Sequence, residues 1–389
     1  MKRVLVFVGL LLGAAATAQN LSSINFSYWY NPGAEIEFQM RPVVSGGKAK
    51  VLYSLSARMA ARAADSYTIK WERRENLTDA QGKPLTPEDS VIASVGQTRT
   101  GIVTVDWPDK PWLLVAVITH PEGLSPWYFY RSIDSRYPSD AFLAQEDGSP
   151  LLDRFAESGK RYQLRNFEPG KVYGFYYRTF FPAAYPAFST ALPVVDKFMI
   201  YDSTFTLNAA DRFEPRRPGL YLLQHDTTAA RGVAVLVPPS GFPRMTRVGQ
   251  LAKALIYVTT PDEYAKLEDA RENKTAFDKS VLALTGDKDR ARNFMRSYFQ
   301  RVEFANRCFT AFKEGWKTDR GIVYIIFGAP DEVTRKGLNE IWYYKASRTQ
   351  FIFSKAGSVF DPEQYTLHRE NSYSQTWYNQ IDLWRKSRF

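Results

Sequence analysis

Short β-branched and aromatic runs, broken by turn residues, dominate the first 240 residues of the 389-residue chain. Glu35-Ile36-Glu37-Phe38 and Ile69-Lys70-Trp71 alternate polar with apolar, the pattern of a strand with one wet face. The runs predict strands over 24–30, 34–40, 48–55, 67–73, 98–105, 112–119 and 127–131. Asn31-Pro32-Gly33, Gly46-Gly47, Gly82-Lys83-Pro84 and Pro121-Glu122-Gly123 separate them. About seven short strands at this spacing predict an immunoglobulin-like β-sandwich over 19–135. A second sandwich follows over 136–240, with strands at 160–164, 171–180, 197–201, 204–207, 220–225 and 232–237. No fixed-period repeat links the two regions.

Three prolines and a glycine fall within residues 238–243, which marks a linker, because proline neither continues a strand ladder nor enters a helix interior. Helical chemistry begins after it. Thr260 is placed as an N-cap with Pro261 at the first position and Asp262 and Glu263 in the first turn, so 261–283 reads as one helix or two. Asp287 caps a longer helix in which Ala291, Phe294, Tyr298, Val302, Ala305, Phe309 and Phe312 recur at spacings of three and four. That helix is expected to run to about Glu314. Residues 322–327 then read as a buried strand closed by Gly328-Ala329-Pro330. Further strands are predicted at 340–344, 350–353 and 365–367, and 371–389 as a partly helical terminal segment docked by Trp377 and Trp384. The fold class is therefore multi-domain and mainly β, with an α+β domain over 241–389.

The densest run of specific commitments is Gly315-Trp316-Lys317-Thr318-Asp319-Arg320-Gly321. Arg301-Val302-Glu303 and Ala305-Asn306-Arg307 precede it; Tyr324-Ile325, Gly328 and Pro330-Asp331-Glu332 follow. These residues resemble the GWxTD domain family, most specifically over 298–333. The resemblance implies an exported bacterial protein of Bacteroidetes or Acidobacteria type, with β-rich domains ahead of this one and no established enzymatic activity. Read from its residues alone, the turn explains itself structurally. Gly315 ends a helix in the left-handed conformation, and Trp316 folds back over the last helical turn. Thr318 and Asp319 bond nearby amides, and Gly321 gives a tight entry to the strand. Arg320 is expected to pair with Asp319, Glu303 or Asp331. The functional alternative makes Gly315, Trp316, Thr318, Asp319, Arg320, Gly321, Gly328, Pro330 and Asp331 a partner-binding patch, since tryptophan and arginine are common binding hot spots.

Composition narrows the function classes. Lys2 and Arg3, the apolar run 4–12 and Ala16-Thr17-Ala18 make residues 1–18 a secretory signal, with cleavage before Gln19. No later run reaches the ~20 apolar residues of a membrane span. The net charge is +10, but an exported chain with interspersed charges argues against nucleic acid. The single cysteine, Cys308, reads as a core thiol. His120, His225 and His368 make no metal-ligand spacing, and no nucleophile elbow or phosphate-binding glycine loop occurs. Carboxylate pairs such as Glu303 with Asp319 are of the type that glycosidase chemistry uses, but carboxylates are abundant in the chain. No cofactor, metal or catalytic residue is assigned.

Aromatics crowd the chain at Trp107, Trp112 and 127–130, and again at 173–181; the favoured reading places them in sandwich cores, the other on a glycan-binding face. The expectation is a non-catalytic envelope protein, periplasmic or associated with the outer membrane. It would bind an unidentified envelope protein as a scaffold component of an outer-membrane-associated secretion or surface-assembly complex. The alternative is a carbohydrate-binding or carbohydrate-processing envelope protein.

Overall fold

The computed structural model describes residues 19–388 apart from 108, 124, 135, 167–169, 179–180, 191–197 and 209–210; the signal segment 1–18 lies outside the described residues. The architecture is mainly β with an α+β C-terminal domain, as the hydrophobic pattern predicts.

The first sandwich contains β1 (Ile36–Ser45), β2 (Lys48–Ala57), β3 (Thr68–Arg74), β4 (Lys83–Leu85), β5 (Glu88–Val95), β6 (Thr98–Asp106), β7 (Trp112–Thr119) and β8 (Trp127–Ile133). They form two antiparallel sheets, β1-β2-β6-β5 and β4-β3-β7-β8. Phe38, Tyr53, Trp71, Leu114 and Phe129, drawn from both sheets, share one core. The period-two pattern located six of these strands. It missed β4 and β5, and every residue of β5 is exposed, so no alternation marks it.

Residues 24–30 are not the expected strand. They hold the 3-10 turn Ser27–Tyr30, which with the preceding turn Leu21–Ser23 belongs to an arm between the first sandwich and the C-terminal domain. Trp29 stacks on Phe129 at 5.4 Å on one side. On the other, Phe26 N–H donates to Val333 C=O at 2.8 Å, and Asn25 accepts from Val333 N–H at 2.9 Å. The aromatic run is thus selected for packing in two directions, not for a ladder.

The second sandwich contains β9 (Ala141–Ala144), β10 (Tyr162–Asn166), β11 (Lys171–Tyr177), β12 (Ser203–Asn208), β13 (Arg212–Phe213), β14 (Gly219–Gln224) and β15 (Val233–Val237). Its sheets are β13-β10-β9 and β12-β11-β14-β15. Leu143, Leu164, Tyr176, Phe213, Tyr221 and Val235 join across the two sheets. The strand expected at 197–201 does not form over 198–201; residue 197, like 179–180 at the end of another predicted strand, lies outside the described residues.

The C-terminal domain contains α1 (Val248–Ala254), α2 (Pro261–Asp269), α3 (Lys274–Thr285), α4 (Lys288–Phe309), α5 (Asp319–Phe327), β16 (Glu332–Lys336), β17 (Asn339–Tyr344), β18 (Thr349–Lys355), β19 (Tyr365–Leu367) and α6 (Ser374–Arg385). The four strands form one antiparallel sheet in sequence order. Thr260 caps α2 with a full capping box, and Asp287 caps α4 by accepting from two backbone N–H groups. Phe294, Tyr298, Val302, Ala305 and Phe309 form the buried stripe of α4, whereas Phe312 lies beyond the helix and packs on Phe181 at 4.7 Å. Trp377 and Trp384 of α6 are buried, as expected.

Residues 322–327 are helix, not strand. Ile322 to Ile326 are buried on all sides, so the apolar run carries no periodicity that separates helix from strand. The deciding signals are Thr318, which caps the helix by accepting from Gly321 N–H, and Asp319 in the first turn. Phe304 stacks on Tyr324 at 4.6 Å from the α4 side, and Phe327 meets Phe351 of the sheet at 4.9 Å and Trp377 of α6 at 5.6 Å. This short helix is the centre of the domain core.

Candidate functional site

Helix α4 ends at Phe309 rather than near Glu314. Thr310 turns extended and its Oγ1 donates to Asn306 C=O at 2.6 Å while accepting from Gly315 N–H at 3.0 Å. Asn306 is fully buried; its side chain accepts from Trp316 N–H at 3.0 Å and donates to Pro243 C=O at 2.8 Å. Gly315 does not take the left-handed conformation expected of it. Its requirement is close approach: a Cβ there would lie 1.9 Å from the Ala305 carbonyl oxygen. Gly321 is bound by the same rule, with a Cβ 1.8 Å from the Gly315 oxygen. The two glycines let the turn lie directly on α4 and the first turn of α5 lie directly on Gly315.

Trp316 is 5% exposed and meets Tyr257 edge-on at 6.2 Å, and the Tyr257 hydroxyl donates to the Trp316 carbonyl at 3.2 Å. Thr318 Oγ1 donates to Gly315 C=O at 2.8 Å. Asp319 accepts from Leu367 N–H at 2.9 Å and pairs with Arg369 at 2.5 Å. Gly328 takes φ 85°, and its carbonyl accepts from the Tyr344 hydroxyl at 2.9 Å. Pro330 is buried, and only Asp331 of the motif is exposed at the surface, where it accepts from Lys345 N–H at 2.7 Å. The segment 181–190 also covers the turn, with Ala184 N–H donating to Lys317 C=O at 2.9 Å. Trp316 is thus buried and the Arg320 side chain is 16% exposed, so the two do not lie together on an open face.

Arg320 pairs with none of the three carboxylates expected. It lies 3.8 Å from Glu340, with its guanidinium over the Tyr365 ring at 4.4 Å. Glu340 is fully buried and also pairs with Arg335 at 2.5 Å. Tyr30 and Trp342 donate to its oxygens at 2.8 and 2.9 Å. Burial opposes both arginine charges. The nearby Glu340 and tyrosine oxygens outweigh it and hold both guanidiniums above the ordinary arginine range. One signal for this centre is present in the chain: Glu340 is in phase with Trp342 and Tyr344, so it points into the core.

Above this network a cavity of about 510 Å³ opens between the arm, both sandwiches and the C-terminal domain. Arg41 and Arg131 reach it from the first sandwich, Arg154 from the second, and Lys355 and Glu363 from the C-terminal domain. Arg154 pairs with the buried Asp361 at 2.6 Å and Lys355 with Glu363 at 2.7 Å. Cys308 also lines the cavity, and burial pushes its thiol up to about 12, the opposite of a nucleophile's requirement. Nothing in the sequence pattern marked this cavity, because its residues come from segments more than 300 positions apart.

Glu303 and Asp319 do not form a carboxylate pair: Glu303 is held by Arg244 and Arg307, and Asp319 by Arg369. Among the described residues, no group of three or more His, Cys, Asp or Glu side chains could hold a metal. Trp112, Tyr128, Phe129, Tyr176 and Tyr177 are buried in cores, whereas Tyr173 is 42% exposed. No helix among the described residues is long and apolar enough to cross a membrane.

Fold and motif together define a β-rich multi-domain protein whose C-terminal helix-and-sheet domain is built around a Gly-Trp-Lys-Thr-Asp turn. Residues 219–386 match the GWxTD domain. The match begins at Gly219 and so includes the last hairpin of the second sandwich. No curated protein matches the chain. Two solved structures are similar at low level. A chimeric titin Z1Z2-Z1Z2 tandem is 11% identical with TM-score 0.17, covering 52% of this chain and 98% of its own. Titin A168–A169 is 13% identical with TM-score 0.18, covering 52% and 97%.

Proposed function

We propose that the protein is an exported, non-catalytic scaffold component of the cell envelope, periplasmic or at the outer membrane, that binds another envelope protein. The observation that carries this reading is the interlocking of the chain. The arm inserts Tyr30 onto Glu340 across 310 positions, and segment 181–190 straps the motif turn from the second sandwich. Such cross-bracing suits a part that presents fixed surfaces. Two exposed apolar sites are the candidate partner faces: the edge strand β5, with Val95 78% exposed, and the segment with Phe198 84% and Ile200 82% exposed. Crosslinking from β5 and from residue 198 in the native envelope fraction, followed by affinity purification, tests this. A reproducible envelope partner attached at either position supports the scaffold; recovery of the chain alone from both positions refutes it.

A second reading, a carbohydrate-binding envelope protein, is favoured by the cavity. Its volume falls in the range of roughly 300–1,000 Å³ common to small-ligand sites. Trp29, Tyr137 and Tyr365 contribute aromatic surface to its lining.

A further inference from the structure

We propose that the cavity between the three domains binds an acidic sugar, a glycan unit carrying carboxylate, sulfate or phosphate oxygens. The inference rests on the carbohydrate reading and adds the charge of the ligand.

The argument starts from the cations that the cavity does not neutralise. Arg154 and Lys355 are each matched by a carboxylate, and Arg320 and Arg335 share the single carboxylate of Glu340. Among the described residues, Arg41 and Arg131 have no carboxylate within ion-pairing distance. Arg41 instead donates to the carbonyls of Leu151, Leu152 and Asp153 at 2.9–3.3 Å. Arg131 donates to those of Met40 and Tyr130 at 3.2 and 3.3 Å. These bonds fix both planar guanidiniums without consuming their charge, which is the preorganisation that recognition of a carboxylate or phosphate needs. Burial and the neighbouring Arg154 push Arg41 down to about 9, against the opposing pull of the Asp153 and Asp361 carboxylates on the cavity wall.

The second requirement of a sugar site is aromatic surface beside the polar groups. Trp29 lies beneath Arg335 at 4.2 Å and Arg131 at 5.9 Å. Tyr137, on the cavity wall, is held at φ 54°, a conformation that costs energy for a residue with a side chain. Protein interiors are otherwise close-packed, so an open chamber walled by fixed arginines and aromatics is a built feature of the domain junction.

The test is isothermal titration of the full chain with digalacturonate, with a neutral disaccharide of equal size, and with inorganic phosphate alone. The expected result is 1:1 binding of digalacturonate that weakens with salt and is at least about tenfold tighter than either control. Arg131→Gln is expected to weaken it about tenfold. Ala356→Glu is expected to do the same with an unchanged melting temperature, because Ala356 is an exposed residue of the cavity lining. Equal binding of the neutral disaccharide overturns the charge assignment and leaves the carbohydrate reading standing. Phosphate binding as tight as digalacturonate overturns the sugar assignment. Failure of both sugars overturns the inference and the carbohydrate reading together. Digalacturonate binding unaffected by Ala356→Glu and Arg131→Gln places the site elsewhere and overturns the inference.

Discussion

Arg335 and Glu340 face each other in register across β16 and β17, 2.5 Å apart and almost without solvent contact. Desolvating two charges is costly, and the pair persists because every oxygen of Glu340 is used. The Tyr30 hydroxyl lies 2.8 and 2.9 Å from the two oxygens and shares its one hydrogen between them, Arg335 donates to Oε2, and Trp342 donates to Oε1. The pair therefore reads out whether the arm is docked. Glu340→Gln leaves Arg335 buried without its counter-ion and is expected to cost about 3–5 kcal/mol. Tyr30→Phe removes one donor to a charged acceptor and is expected to cost about 1.5–3 kcal/mol. Urea unfolding of both variants checks this; coincident curves for Glu340→Gln and the parent would show that the pair contributes nothing.

The motif glycines should tolerate no side chain. Gly315→Ala and Gly321→Ala each force a methyl into a carbonyl oxygen of the backbone, which cannot swing aside as a side chain can. Each is expected to cost about 3 kcal/mol or more, the upper end for overpacking. Gly286, at φ 74° with open space around its Cβ position, is the control. Its alanine variant meets only the left-handed backbone penalty, about 1–2 kcal/mol. Equal losses at all three positions, measured by thermal melts, would remove the close-approach explanation of the motif.

Trp316 separates the fold element from a recognition site in the same way. With its ring against Tyr257 and its carbonyl bonded by the Tyr257 hydroxyl, Trp316→Ala is expected to destabilise the C-terminal domain by about 3–5 kcal/mol. A variant that melts with the parent would mean that the ring contributes no packing, and the partner-patch reading would return.

Local signals carried much of this fold. Period two located most strands of both sandwiches, and capping residues located α2 and α4, because both depend on neighbours in sequence. Three failures share one cause, which is that the pattern of burial in the folded chain departs from the local period. Residues 24–30 are rich in aromatics because they pack on Phe129 while Phe26 N–H bonds Val333 C=O, over 90 and 300 positions away. Residues 322–327 are uniformly apolar because α5 is surrounded, which erases the period that distinguishes helix from strand. β5 is uniformly exposed, which erases it from the other side. At the site, the motif residues were legible, but their partners were not. Asn306 was visible only as a motif letter, and the Arg41, Arg131 and Arg154 cavity is assembled solely by domain packing.

Glu363 makes the cavity wall pH-sensitive. Burial opposes its charge, but Lys355 at 2.7 Å and the nearby Arg131 and Arg154 outweigh it and hold the carboxyl down to about 2, against 4.5 unperturbed. A folded-state value below the unfolded one means that the charged form stabilises the native state. That stabilisation is complete above the unfolded value and is lost as pH falls from 4.5 through about 2. The depression corresponds to roughly 3 kcal/mol at most. Glu363→Gln removes this contribution alone, leaving acid sensitivity from other carboxylates common to both proteins. Urea midpoints for the two proteins should therefore differ most near neutral pH and converge as pH falls toward about 2.5. A gap that stays constant across that window would mean that Glu363 stabilises through packing or neutral hydrogen bonds, and that the cations around the cavity do not act on it.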